Sequence, residues 1–209
     1  DNKTLLFSCW VNLNGGDGAY RTFVRSTAAA HITVRFDTDN KIRVVAKNAA
    51  GANILSIAST TAYTAGAAEL HIAVSVDMSD TGKRHLYVSD SDDLGAIDTY
   101  TNDTIDWTRT DAFGIGAHPA DGTTKMNGCM SELYLTNEYL DLSVTANRRK
   151  LIDASGKPED PGSDGSTVTG TSPLIYLPNP YTSFETNAGT GGNFTVTGAL
   201  TECASSPSD

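Results

Sequence analysis

Apolar and polar residues alternate along most of this chain with a period of two. HITVRFD (31–37) places Ile32, Val34 and Phe36 on one face and Thr33 and Arg35 on the other. KIRVVAKN (41–48) repeats the pattern across the four-residue loop DTDN (37–40). Such alternation predicts half-buried strands joined as hairpins. The most regular stretch is ELHIAVSVDM (69–78), where Leu70, Ile72, Val74 and Val76 share a face; the turn SDTGK (79–83) leads into RHLYVSD (84–90). An apolar opening strand at 4–13 ends in the turn at 14–18, and 20–26, 53–59, 113–118 and 126–136 complete the set. These nine segments are spaced mostly 8–14 residues apart with no helix between them. That rhythm predicts an antiparallel sandwich or barrel and excludes parallel folds, which need crossover helices.

One segment breaks the period. SVTANRRKLIDASGKP (143–158) offers Ser143 as an N-cap, and Val144, Arg148, Leu151 and Ile152 at helical spacing. Three cations sit near its C-terminal end, and Gly156 and Pro158 follow. These signals predict a short helix over 144–153. Beyond it, 158–173 reads as irregular surface chain. PLIYLP (173–178) and NFTVTG (193–198) are strand-like but too sparse to fold alone, so they are expected to pack across the sandwich or against a neighbouring chain. Residues 201–209 read as a flexible tail. The expected division is therefore a sandwich at 1–143, an extension at 144–200 and the tail.

Composition supports the β reading. The chain has 209 residues, is rich in Thr, Ser, Gly and Asn, and carries Asp more often than Glu, as turn-rich β-proteins do. A net charge of −10 argues against nucleic acid as a partner, since phosphate binding needs a basic face. No run of 18 or more apolar residues is long enough to span a membrane as a helix. The chain starts at Asp1 without a secretory leader, which reads as a processed chain or part of a longer one. Cys9, Cys129 and Cys203 are odd in number and widely spaced, so a zinc site is not expected. They make either three thiols or one bridge and one thiol. A core of this size needs no staple, which favours three free thiols.

At this point residues with a familiar pattern accumulate. LHIAVSVDMSDTGKRHLYVSD (70–90) resembles the central strand pair of laminin-G-like domains. FGIGAHPADGTTKMNGCMSELYLTNEYLDLS (113–143) resembles their closing pair, and LLFSCWVNL (5–13) their opening strand with Ser-x-Trp-Val. The order is that of the concanavalin-A-like lectin/glucanase jelly roll, and the resemblance implies an all-β jelly-roll sandwich with one short helix and an extended C-terminal segment. In that fold the opening and closing strands lie side by side, which would bring Cys9 and Cys129 close. A narrower resemblance covers 139–180 and 187–200, with its Asn-Arg-Arg-Lys helix, Gly-x-Pro turn and Gly-Thr-Gly-Gly-x-Phe-Thr-Val-Thr-Gly stretch. It is similar to C-terminal extensions of laminin-G-like proteins of tailed phages and prophages. It implies a subunit of a virion: a fibre, spike or head decoration.

Chemistry is sparse. Laminarinase-type relatives carry Glu-x-Asp-x-x-Glu on one strand, so that two carboxylates flank a glycosidic bond. Here Glu132, Glu138 and Asp141 are spread over a strand and a turn, and no catalytic residue is assigned. His31, His71, His85 and His118 are scattered, and there is no nucleophile elbow, phosphate loop or dinucleotide fingerprint. No cofactor is expected. Calcium is the one ion considered, with Asp90, Asp92, Asp93 and Asp98 around the acidic SDSDD loop (89–93) as its ligands. The plainer reading of that loop, and of DTDN, is a solvated turn. Sugar binding uses an exposed aromatic plus a few polar groups. Trp107, Tyr100 and Tyr20 fall in or beside predicted loops, with Asn102, Asp103 and Asp106 next to Trp107, whereas Trp10 reads as core. The sequons at 2–4, 102–104 and 193–195 matter only in a eukaryotic secreted protein.

Three functions follow in order. The first is a non-enzymatic phage structural protein within the virion, contacting other virion proteins, self-associating as a trimer and touching a host-surface glycan. The second is a glycan-binding module of a bacterial surface protein, and the third a polysaccharide-degrading enzyme acting through Glu132.

Overall fold

The computed structural model describes residues 1–26, 31–108 and 113–204. In chain order the elements are β1 (Thr4–Leu13), β2 (Arg21–Ser26), β3 (Ile32–Phe36), β4 (Lys41–Lys47), β5 (Asn53–Ala62), β6 (Leu70–Asp77) and β7 (Arg84–Val88). They continue with β8 (Ser91–Asp92), β9 (Leu94–Tyr100), β10 (Phe113–Ile115), β11 (Gly128–Thr136), α1 (Thr145–Arg148) and β12 (Ile175–Leu177). Two six-stranded sheets form: β12-β11-β1-β6-β7-β8 and β10-β2-β3-β4-β5-β9, with every pairing antiparallel. This is the expected all-β jelly-roll sandwich.

The core is what period-two alternation makes it. Leu5, Phe7, Cys9, Val11 and Leu13 of β1 and Leu70, Ile72, Val74 and Val76 of β6 point inward from the first sheet. Ile32, Val34, Phe36, Ile42, Val44 and Ala46 meet them from the second. Phe23 stands between Phe7 and Phe36, with ring centroids 5.8 and 5.1 Å away, in the tilted and edge-on arrangements aromatic pairs favour.

The first sheet has a second apolar layer on its outward side. Leu6, Ala73, Tyr87 and Tyr134 face out of that sheet and are buried against Leu140, Leu142, Leu151, Val168 and Tyr176. These last residues come mostly from the extension, which also adds β12 to the edge of β11. The extension therefore packs on its own sandwich.

The helix is shorter than the sequence spacing predicts. Ser143 does not cap it: its hydroxyl and its amide both go to Asp141 Oδ1, at 2.6 and 2.9 Å. Val144 takes the cap position with no side-chain bond. Past Arg148 the chain turns, because Arg148 and Arg149 both reach Asp90, at 2.6 and 2.5 Å. A small bridge between Ile152 and Pro158 closes the turn around Gly156 (φ +82°).

The cysteine expectation is corrected. Cys129 and Cys203 form a disulfide, and Cys9 alone is a free, buried thiol. Cys9 does lie on the strand next to β11, but it points into the core, where it is not available to Cys129. The bridge pins the end of the extension to the start of β11; residues 205–209 of the expected tail lie outside the described residues. It spans 74 residues, for which chain entropy alone would give about 4–5 kcal/mol. Most of 195–202 is exposed, so opening the bridge frees that segment in the folded chain too and offsets much of this value. Reduction is expected to speed amide exchange across 193–204 while lowering Tm by less than about 5 °C.

Candidate functional site

The two sheets differ on their outward sides. Among the described residues the second sheet has no outer apolar layer, and its outward positions are mostly polar, with Val45 and Ala58 as apolar members. Strand register sets them in two rows. Arg25 of β2 lies opposite Thr33 of β3, which lies opposite Val45 of β4 and then Ser56 of β5. In the next row Thr22 lies opposite Arg35, then Arg43, then Ala58. The inward neighbours are core residues, so the same alternation that builds the core aligns three arginines on the far face.

Their environments differ. Arg35 stacks on Tyr20, with the guanidinium carbon 4.5 Å from the ring centroid, and its Nη2 is 3.3 Å from Asp37 Oδ2. Tyr20 is 43% exposed. Arg43 holds the same Asp37 oxygen through Nε at 2.8 Å, and also pairs with Asp98 and Ser56. Among the described residues Arg25 makes no ion pair, and its buried Nε has no partner. Burial, then the neighbouring Arg35 charge, lowers its pKa from the usual guanidinium value. Thr33 is 1% exposed with an unpartnered hydroxyl, and the Nε of Arg35 is likewise buried without one. The loop at 116–125 walls the β10 side. A Cβ on Gly114, opposite Arg25, would come within 2.8 Å of Pro119, so that loop folds tightly over the sheet edge. In this loop Asp121 is occupied by His118 and Thr123.

The residues singled out from the sequence fall into separate places. Trp107, Asp106, Asn102 and Tyr100 lie together along the 100–107 segment. Asp106 is buried against His31 Nδ1 at 3.1 Å. Tyr100 donates to the Met78 carbonyl and lies under Arg84. Asn102 takes Lys3, and Asp103 takes Asn48. Trp107 packs against the core, and its indole N–H is buried without a partner. Tyr20 is elsewhere. It touches Arg35 near one end of β3, whereas Asp106 pairs with His31 beyond the other, about 13 Å away along an extended strand.

The acidic set divides four ways. Asp90 holds Arg148 and Arg149; Asp92 caps the Leu94 amide; Asp93 accepts from Thr61 and the Tyr63 hydroxyl; Asp98 pairs with Arg43. No group of three or more His, Cys, Asp or Glu suited to a metal ion occurs among the described residues. Of the three carboxylates weighed for hydrolysis, Glu132 accepts from Tyr176 at 3.0 Å, Glu138 from Thr171 and Asp141 from Ser143. Glu132 sits in the bulge where β11 slips against β1, with φ +51°, and burial raises its pKa.

One constellation was not legible from spacing. Ser8 Oγ lies 2.8 Å from His71 Nε2, across β1 and β6, and the His71 ring stacks on Trp10 at 4.8 Å. A serine beside an imidazole is the start of a nucleophile. Here both are buried on the outward side of the first sheet, with Leu142, Leu151 and Ile152 close by. Burial holds the His71 pKa down to about 3, so the ring stays neutral. The pair acts as a satisfied polar contact inside the outer layer.

The sequence pattern of the concanavalin A-like lectin/glucanases superfamily matches residues 1–143. No curated protein matches the chain. Among solved structures, a protein of Bacteroides ovatus ATCC 8483, provisionally assigned to carbohydrate binding, aligns with TM-score 0.57 and 16% identity over 83% of this chain. The chain spans 44% of that protein's length. A heptameric SAP-like pentraxin of Limulus polyphemus aligns with TM-score 0.48 and 12% identity, covering 68% of this chain and 67% of its own. The Trypanosoma rangeli sialidase aligns with TM-score 0.43 and 14% identity, over 68% of this chain and 22% of its own. The matched pattern covers well over half of the chain, and the two antiparallel sheets carry it: the chain belongs to the concanavalin A-like lectin/glucanase superfamily.

Proposed function

We propose that this chain is a non-catalytic glycan-binding subunit of a phage particle, with the outward side of the second sheet as its binding face. The observation that carries the glycan reading is the asymmetry of the sandwich: an apolar layer occupies the outward side of the first sheet, and the second presents Arg35 stacked on a solvent-exposed Tyr20. An exposed aromatic ring beside hydrogen-bonding side chains suits a sugar, whose C–H face packs on the ring while its hydroxyls meet polar groups. The assignment of the Bacteroides ovatus protein to carbohydrate binding supports the same reading. The non-catalytic part rests on the three weighed carboxylates, which serve Tyr176, Thr171 and Ser143. The virion part, with a trimer and other virion proteins as partners, rests on the resemblance of 139–200 to phage-encoded extensions.

A glycan array followed by titration of the best hit tests the reading. Tyr20→Ala is expected to weaken binding more than tenfold, while Trp107→Ala mainly lowers Tm. If Trp107→Ala abolishes binding and Tyr20→Ala does not, the site belongs to the 100–107 segment instead. Light scattering and electron microscopy of the parent assembly test the virion part: a free monomer with no parent particle would favour a bacterial surface module.

A further inference from the structure

Arg25, Thr33 and Arg35 bring together on the outward face hydrogen-bonding groups that the chain leaves partly unused, Arg35 spending only Nη2 on Asp37. Arg25 and Thr33 are directly opposed, and Arg35 follows two residues along β3 on the same face. Three buried polar atoms there lack partners: Arg25 Nε, Thr33 Oγ1 and Arg35 Nε. Leaving such groups unpaired is costly, more so for a charged group, so three of them close together are a feature to explain. The surrounding carboxylates spend their hydrogen bonds elsewhere. Asp37 and Asp98 are committed to Arg35 and Arg43, and Asp121 to His118 and Thr123. Asp121 attracts Arg25 across a distance, but among the described residues Arg25 makes no ion pair at contact distance and its Nε–H has no acceptor.

We propose that this cluster binds the oxyanion of an acidic sugar, so that the glycan recognised on this face carries a carboxylate or a sulfate ester. The inference rests on the glycan-binding reading above. A guanidinium is a planar fork whose Nε–H and Nη–H match a carboxylate edge, and two arginines flanking one hydroxyl can hold both oxygens of one group. Thr33 would donate from beneath, and the exposed ring of Tyr20, beside Arg35, would lie under the sugar carrying the anion. Half-burial strengthens such a contact relative to one in water. Lysine at position 25 would retain charge but not the fork.

The test is side-chain NMR on the full chain, following the arginine Nε–Hε signals during titration with four probes: glucuronate, glucose 6-sulfate, glucose and a neutral dextran oligosaccharide. The expected result is that one or both anionic sugars shift the Arg25 and Arg35 signals and leave Arg148, already held by Asp90, in place. Glucuronate acting alone assigns a carboxylate, and the sulfate ester acting alone assigns a sulfated sugar. Arg25→Lys is expected to weaken the anionic titration at least tenfold, and Thr33→Val, which keeps the side-chain shape, severalfold. If the neutral sugars shift the same signals as strongly, the acidic-sugar proposal is overturned and the face remains a glycan site. If no sugar moves any signal on β2 to β4, both readings fall. An Arg43 perturbation with Arg25 unmoved also overturns the proposal, because it places the sugar away from the cluster.

Discussion

A chain ending at Ser143 is expected not to fold to a stable monomer, although the family pattern ends at that residue. Removing 144–209 strips the outward side of the first sheet. Leu6, Ala73, Tyr87 and Tyr134 would face water together, with Leu140 and Leu142 beside them. Such a contiguous apolar area exceeds the few hundred Å² that soluble monomers expose. β11 would also lose β12 and become an edge strand, with Leu133, Tyr134 and Leu135 unpaired on one side. The expected outcome is aggregation or a loosely packed state with weak near-ultraviolet circular dichroism and strong dye binding. A point variant gives the graded version. Tyr134 is fully buried and meets Tyr176 edge-on at 6.1 Å, so Tyr134→Ala in the full chain should cost about 3–5 kcal/mol. A monomeric 1–143 fragment with a cooperative melt near that of the full chain would show that the extension is an accessory and not a layer of the domain.

The second large effect is a loss of stability in mild acid. His71 has a pKa near 3 in the folded chain because burial disfavours its charged form; an unfolded histidine takes up a proton near 6.5. Between these values the unfolded state binds the extra proton, so stability is complete above about pH 6.5 and falls as pH drops toward 3. Between pH 7.5 and 4.5 the loss should be about 3 kcal/mol, or roughly 6–12 °C in Tm for a domain of this size. His85, whose pKa burial also lowers, adds to the loss with the same sign. Asp90, held below its ordinary value first by Arg149 and then by Arg148, adds a further loss only below about pH 4. Glu132, whose pKa burial raises, protonates first in the folded chain and offsets part of the loss above about pH 4.5, so the histidine part is read from the difference between a histidine variant and the parent. His71→Gln, which keeps a polar partner for Ser8, should flatten the curve above about pH 4.5 while leaving the drop below pH 4. An unchanged slope in this variant would mean that the His71 environment is not dry.

What the sequence shows and what it hides follow from how local each feature is. β6 and β3 are legible because alternation is a property of neighbouring residues, and Leu70, Ile72, Val74 and Val76 do all reach the core. The outward placement of Arg35 was legible for the same reason. Its alignment with Arg25, Thr33 and Arg43 was not, because strand register is set by pairing between segments. Ser8 and His71 meet across 63 positions, and no spacing rule announces them. The bridge escaped because Cys203 lies in an irregular segment whose path is fixed only once it packs. The helix was overestimated because Ser143 and the two arginines met the helical pattern but are engaged by Asp141 and Asp90. Tyr20 was picked out for its ring, and the structure adds the cation beside it.

The central claim is that the outward side of the second sheet is the recognition face while the first sheet is sealed by the extension. Amide hydrogen exchange with and without the best array glycan tests it most directly. The account predicts slowed exchange within 20–26 and 32–47, with no change across 138–176. Protection confined to 100–108, or to the extension, would contradict it.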